Sequence, residues 1–309
     1  MISLSEIFKD SIKYPFTNIK FLLILGIFCI IFKLPFISFS LGVKSSTSYM
    51  LLLIVSLIVY FIIEGYGISV IRESILMSDL SPKFDIMENF VTGIKKTIVS
   101  IIYFIIPAIL SAVVAVLTGT LKLGSEVFTY IANSNGVVNT TVNVANNTVA
   151  MANGSTSLSN GTTVIANSTT AFSNGTNLLT NASAIYDIVP KDILSSFFTA
   201  AVITVVVSLI LFIIFGLFDT IAQCRLAKYG KLTEALKINE VVKDISNIGI
   251  AKFIGWYILI LIICFVISFI AGLLFVIPYI GIIILPLIIM SFVILFQSRS
   301  LGLLYSNID

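Results

Sequence analysis

Six long apolar runs dominate the pattern of hydrophobic and polar positions along the chain. Each run is long enough to cross about 30 Å of hydrocarbon as a helix that rises about 1.5 Å per residue. The pattern predicts an all-α, polytopic membrane protein with six transmembrane helices, the last two joined by a tight turn at Ile277–Gly281. The predicted spans are residues 19–41, 49–71, 97–121, 192–218, 251–277 and 279–298.

Amphipathic stretches precede the first, third and fifth spans. They are Glu6–Ile12, Glu88–Ile94 and Glu240–Ser246, and apolar residues recur in them at helical spacing. Helices of this kind lie in the plane of the membrane interface. We therefore expect three hairpins, each made of an interfacial helix, a span outward and a span back.

The chain has three arginines, and they hold matching places in this scheme. Arg72, Arg225 and Arg299 each fall at the cytoplasmic end of the second span of a hairpin. This placement favours a threefold repeat. The alternative is that any cytoplasmic helix end collects basic residues.

The distribution of basic residues predicts the orientation. With a cytoplasmic N-terminus, 14 of the 18 lysines and arginines fall in cytoplasmic segments and 4 fall outside. The positive-inside rule then places both termini in the cytoplasm and the protein in the cell membrane. The predicted regions are a membrane region at 1–121, an extracellular insert at 122–191 and a second membrane region at 192–309.

The insert carries seven sequons for N-glycosylation, each an Asn-x-Ser/Thr without proline at the middle position. They recur every seven residues, with one apolar residue in each repeat. In a helix this period makes one apolar stripe and turns the asparagines away from it. The frequent Asn, Gly, Ser and Thr favour instead a flexible polar spacer. The seven candidates are Asn139, Asn146, Asn153, Asn160, Asn167, Asn174 and Asn181.

The amino-acid composition excludes several classes of protein and of functional site. The chain is 58% hydrophobic and 11% charged, which excludes a soluble globular domain and a disordered chain. It has no histidine, its three cysteines are far apart in sequence, and its net charge is only +3. We therefore predict no catalytic, metal or cofactor site, no enzymatic activity and no nucleic-acid partner.

Glu64 is the one acid expected well inside a span, and a carboxylate in a bilayer indicates a functional site by default. Gly65 and Gly67 beside it allow close approach of another backbone. The alternative is a residue near the interface, neutralised by one of the arginines. Asp219 is predicted as a solvated cap at the end of the fourth span, which leaves no second carboxylate at the depth of Glu64.

Short motifs in both membrane regions resemble a known family. They are Tyr14-Pro15-Phe16, Pro82-Lys83-Phe84-Asp85, Phe90–Lys95, Ile102–Pro107, Phe275–Gly281 and Arg299–Gly302. The chain resembles domain of unknown function 4013, multi-pass membrane proteins of archaea and some bacteria, over about residues 1–120 and 192–305. The insert lies outside the resemblance, which implies a membrane architecture and no particular activity.

Two functions follow from these patterns. The first is a non-enzymatic cell-envelope protein whose membrane helices lie in the lipid bilayer and display a glycosylated extracellular loop. Its expected partners are membrane or envelope proteins. The alternative is a transporter or channel-like protein with a path near Glu64. The scarcity of polar residues in the spans favours the first.

Overall fold

A computed structural model describes residues 2–17, 19–40, 42, 46–132, 188–275 and 280–308, and the regular structure of these residues is helical. In chain order the elements are α1 (Leu4–Thr17), α2 (Ile19–Ser40), α3 (Ser46–Ile75), α4 (Ile86–Leu117), α5 (120–132), α6 (Lys191–Tyr229), α7 (Leu232–Ala235), α8 (Ile238–Ile248), α9 (Ile250–Phe275), α10 (Ile280–Ile284), a π-helical segment (Leu285–Met290) and α11 (Ser291–Tyr305).

Six helices of the described chain are long and apolar enough to cross a membrane. They are α2, α3, α4, α6, α9 and the last span, Leu285–Tyr305. The all-α class and the six apolar spans are thus confirmed. The pairing of spans into hairpins and their orientation stay predictions.

The chain divides into two compact units, residues 1–105 with 214–309, and residues 106–213. The first unit contains two clusters of buried side chains. One is centred on Ile68, Ile221 and Phe296, and the other on Leu25 and Tyr66. Both clusters draw on helices far apart in sequence, because each apolar span supplies only one face to the interior.

The second unit, residues 106–213, has its main polar contacts among threonines. The hydroxyls of Thr118, Thr120 and Thr204 lie 2.8 Å from one another. Large side chains such as Val205 and Leu209 are exposed. An exposed apolar helix face is the surface that a lipid-facing span presents, because lipid replaces water as the solvent.

A close crossing joins α3 and α4 within the first unit. A Cβ atom at Gly65 would lie 1.8 Å from the Asn89 carbonyl oxygen, and one at Gly93 would lie 1.8 Å from that of Phe61. No side chain fits at either position. Small residues that admit a second backbone are a usual means of packing helices in membranes.

Two of the three predicted amphipathic segments form separate helices, and one does not. Glu6–Ile12 lies in α1, and Glu240–Ser246 lies in α8, which is followed by Gly249 with φ of 91°. Glu88–Ile94 is instead the beginning of α4 and continues into the span. The prediction of a separate interfacial helix there was wrong, because nothing between Ile94 and Thr97 ends a helix.

The start of α1 is a capping box. The Ser3 hydroxyl accepts a hydrogen bond from the Glu6 N–H at 3.3 Å, and the Glu6 carboxylate accepts one from the Ser3 N–H at 2.9 Å. The second bond lowers the pKa of the Glu6 carboxyl from its ordinary value. The helix that carries Asp10 therefore has a fixed beginning.

Candidate functional site

Arg225 is buried at the centre of a polar cluster near the end of α6. Its guanidinium donates to the Asp244 carboxylate at 2.8 Å and to the Glu234 carbonyl oxygen at 2.9 Å. The Tyr305 hydroxyl donates to the same Asp244 oxygen at 2.6 Å. A hydrogen bond from Lys237 lowers the pKa of the Glu234 carboxyl, so this second acid stays ionised beside Arg225. The cluster joins α6, α7, α8 and α11.

Arg299, in the middle of α11, forms a second cluster. Only 2% of its side chain is exposed, and it pairs with Asp10 of α1 at 2.8 Å and with Asp79 at 2.7 Å. It also donates to the carbonyl oxygen of Ser78, and its guanidinium lies 4.9 Å from the centroid of the Tyr14 ring. Arg299 therefore joins the last helix to the first and to the segment that follows α3.

Arg72 has a more open environment. It pairs with Glu88 at 3.2 Å and donates to the Ala227 carbonyl oxygen at 3.2 Å. The side chains of Arg72 and Glu88 are 38% and 59% exposed. Water competes for both groups, so this ion pair contributes less to the stability of the fold than a buried one.

The three arginines share one pairing rule. Each binds an acid of the amphipathic segment that follows it in the chain, and the last returns to the first. Arg72 binds Glu88, Arg225 binds Asp244, and Arg299 binds Asp10. In the aligned segments Asp10 and Asp244 hold the fifth position. Thr92 holds that position in the second segment, so Arg72 pairs instead with Glu88 at the first.

Glu64 is neutralised by a lysine. Its carboxylate accepts a hydrogen bond from the Lys96 ammonium of α4, and both side chains are about one-quarter exposed or less. The expectation that an arginine balances Glu64 was therefore wrong. The α3–α4 crossing explains the partner, because Gly65 follows Glu64 and Gly93 lies three residues before Lys96.

Asp219 is a second acid near Glu64, and the sequence prediction did not place it there. It is only 6% exposed, and it accepts hydrogen bonds from Ser100 at 3.0 Å and from Gln223 at 2.7 Å. It is also close enough to Lys96 and Glu64 to interact with both electrostatically. The predicted solvated cap was wrong, because α6 continues ten residues beyond Asp219 to Tyr229.

Glu64, Lys96, Ser100, Asp219 and Gln223 therefore make one polar cluster on α3, α4 and α6, which we call the intramembrane cluster. Asp219 and Gln223 are four residues apart, the spacing of neighbours on a helix face. That spacing was the one available signal for this half of the cluster. With two carboxylates and one ammonium, this cluster can bind a proton or a small cation. Alternatively, its groups only neutralise one another's charge.

The described part of the chain contains neither a group of metal ligands nor a disulfide. No group of three histidine, cysteine, aspartate or glutamate side chains there could hold a metal ion. Cys29, Cys224 and Cys264 are free thiols. The seven candidate asparagines from Asn139 to Asn181, with the helical or flexible character of their repeats, lie outside the described residues.

Comparison with known proteins places the chain in a family. The family model described as a protein of unknown function, DUF4013, matches residues 48–152 and 149–276. The two matches meet inside the seven-residue repeats, so they run through the predicted insert, and they leave out 1–47 and 277–309. Neither the curated proteins nor the solved structures contain a significant match. With most of its length matched, the chain belongs to the DUF4013 family.

Proposed function

We propose that this membrane protein is a non-enzymatic anchor of the cell envelope. In this proposal both termini are cytoplasmic, and residues 122–191 are displayed as a glycosylated extracellular loop. Envelope or membrane proteins that contact the loop are the expected partners.

The observation that carries the proposal is the position of the charged clusters. Arg72 and Arg225 lie near the ends of α3 and α6, and Arg299 lies in the C-terminal half of the last span, whereas Glu88 lies at the beginning of α4. If consecutive spans alternate in direction, all of these groups lie on one side of the membrane. Apart from the intramembrane cluster, most other residues of the six spans are apolar.

Substitution of the sequon asparagines tests whether the loop is glycosylated. We expect the protein from its native cells to lose mass when all seven asparagines, Asn139 through Asn181, are changed to glutamine, as measured by intact-mass spectrometry. The matched control is Asn307→Gln, which lies outside any sequon. A mass change equal to that of the substitutions alone would contradict glycosylation.

Independence of the loop is tested by deletion. We expect a chain without residues 133–187 to insert and to stay monodisperse in detergent, because the segment contains no predicted span. Size-exclusion chromatography beside the full-length chain measures this. Aggregation of the deletion variant alone would contradict an anchor that folds without its loop.

A second candidate function, proton- or cation-coupled transport, is favoured by the intramembrane cluster. Ionisable groups inside a membrane domain mark ion pathways in many transporters. The matching test is ion flux into proteoliposomes, with Glu64→Gln and Asp219→Asn compared with the exposed Asp192→Asn. Loss of flux in the first two alone would favour transport, and no flux in the parent would favour the anchor.

A further inference from the structure

A cavity of about 570 Å³ opens in the first unit, and its lining contains no residue of the intramembrane cluster. Side chains of α2, α9 and the last span form its walls. They include Phe36, Ile267, Ala271, Ile289 and Val293. Cavities of about 300–1,000 Å³ with mostly apolar walls are typical of sites that bind small molecules. An apolar cavity inside a membrane domain suits a hydrocarbon chain.

Lys33 is the charged residue in this lining. Its ammonium lies 5.3 Å from the centroid of the Phe32 ring. Among the described residues no carboxylate forms an ion pair with it. Lys33 therefore offers a positive charge that no carboxylate of the described residues neutralises.

Part of the cavity wall has an unusual backbone. Leu285–Met290 is π-helical and contains Pro286, which has no N–H to donate to the preceding turn. The segment presses against α2 so closely that a Cβ atom at Gly26 would lie 2.1 Å from the Leu287 carbonyl oxygen. π-helical turns of this kind occur frequently at functional sites.

We propose that this cavity binds one hydrocarbon chain of an anionic phospholipid, whose phosphate contacts Lys33. The apolar walls exclude a polar ligand, and the unneutralised ammonium favours an amphiphile with a negative headgroup. Lys33 lies seven residues before the end of α2 at Ser40, a distance of about 10 Å along the helix, so its flexible side chain reaches toward the headgroup layer. The site goes beyond the anchor function, which needs no specific lipid.

The charge of Lys33 is tested by native mass spectrometry of the full-length protein in detergent. We expect more bound dioleoyl phosphatidylglycerol than dioleoyl phosphatidylcholine, since the chains are the same and only the headgroup charge differs. Lys33→Gln should lower phosphatidylglycerol binding about fivefold, the usual effect of one basic residue near a membrane surface. Lys20→Gln, at the other end of α2, is the matched control and should leave binding unchanged.

The cavity itself is tested by filling it. Ala271→Trp places a large ring in the lining of α9 and should abolish retention of phosphatidylglycerol, whereas Leu273→Trp, two residues away and exposed, should not. Circular dichroism melting checks that each variant is folded. Equal binding of the two lipids, stronger binding of free oleate, or retention unaffected by both Lys33→Gln and Ala271→Trp would overturn the proposal.

Discussion

Arg225 and Arg72 hold corresponding places near the ends of α6 and α3, yet their surroundings differ. Arg225 is 4% exposed, and its acid Asp244 also accepts a hydrogen bond from Tyr305. Arg72 and its acid Glu88 are both more than one-third exposed. The same residue type in the same place is therefore a buried structural centre in one region and a surface pair in the other. The two arginines differ because the acid that pairs with Arg225 is buried, whereas the acid that pairs with Arg72 is exposed.

The largest effect is expected at Asp244. Asp244→Ala leaves Arg225 buried without its main partner and removes the acceptor of Tyr305, so unfolding free energy should fall by about 3–5 kcal/mol. Thermal melting in detergent measures the loss. Glu240→Ala, one turn earlier in α8, is the control. A loss below about 1 kcal/mol would show that Arg225 is hydrated and not buried.

A smaller effect is expected at Asp10. Arg299 is buried, but Asp10 is 43% exposed, and Asp79 and the Ser78 carbonyl also accept from Arg299. Asp10→Asn should therefore cost about 1.5–3 kcal/mol, the usual worth of a hydrogen bond to a charged group. The same melting assay applies, with the more exposed Asp79→Asn expected to cost less. If Asp79→Asn costs more, Asp10 is not the main partner.

Glu64 is expected to rank next. Glu64→Gln should lower stability by about 1 kcal/mol, because polar pairs within membranes average about half to two kcal/mol. The double variant with Lys96→Gln should cost less than the sum of the single changes, since each single change leaves a charge unpaired. Strict additivity in the double-mutant cycle would mean that Glu64 and Lys96 do not interact.

Glu88 should have the smallest effect. Glu88→Gln removes the acid of the exposed pair with Arg72 and should cost no more than about 1 kcal/mol. High salt should reduce even this loss, because water and ions reach both groups. A cost equal to that of Asp244→Ala would remove the distinction between the buried and exposed arginines.

The sequence predicted the features that depend on local pattern. Six apolar runs correspond to six apolar helices, and the same pattern assigns matching places to the three arginines. Their depth was not predictable, because it depends on helices distant in sequence. Asp219 looks like a cap when only the apolar run before it is considered, and it is buried because α6 continues past it and Ser100 of α4 lies against it.

Glu64 shows a second limit of sequence reasoning. Its partner Lys96 is 32 residues away and depends on where α3 and α4 cross. Gly65 and Gly93 fix that crossing, and both were visible as small residues, but nothing in the chain says which two glycines meet. The pairing of distant residues can be predicted only when the packing of the helices is known, whereas the presence of a helix can be predicted from hydropathy alone.

In the proposed topology the arginine clusters lie on the cytoplasmic side and residues 122–191 lie outside. Single cysteines at Lys231 and Ser134 test it most directly, in a chain whose Cys29, Cys224 and Cys264 are changed to alanine. An impermeant thiol reagent applied to intact cells should label Ser134→Cys, and it should label Lys231→Cys only after the cells are opened. Labelling of Lys231→Cys in intact cells would contradict the account.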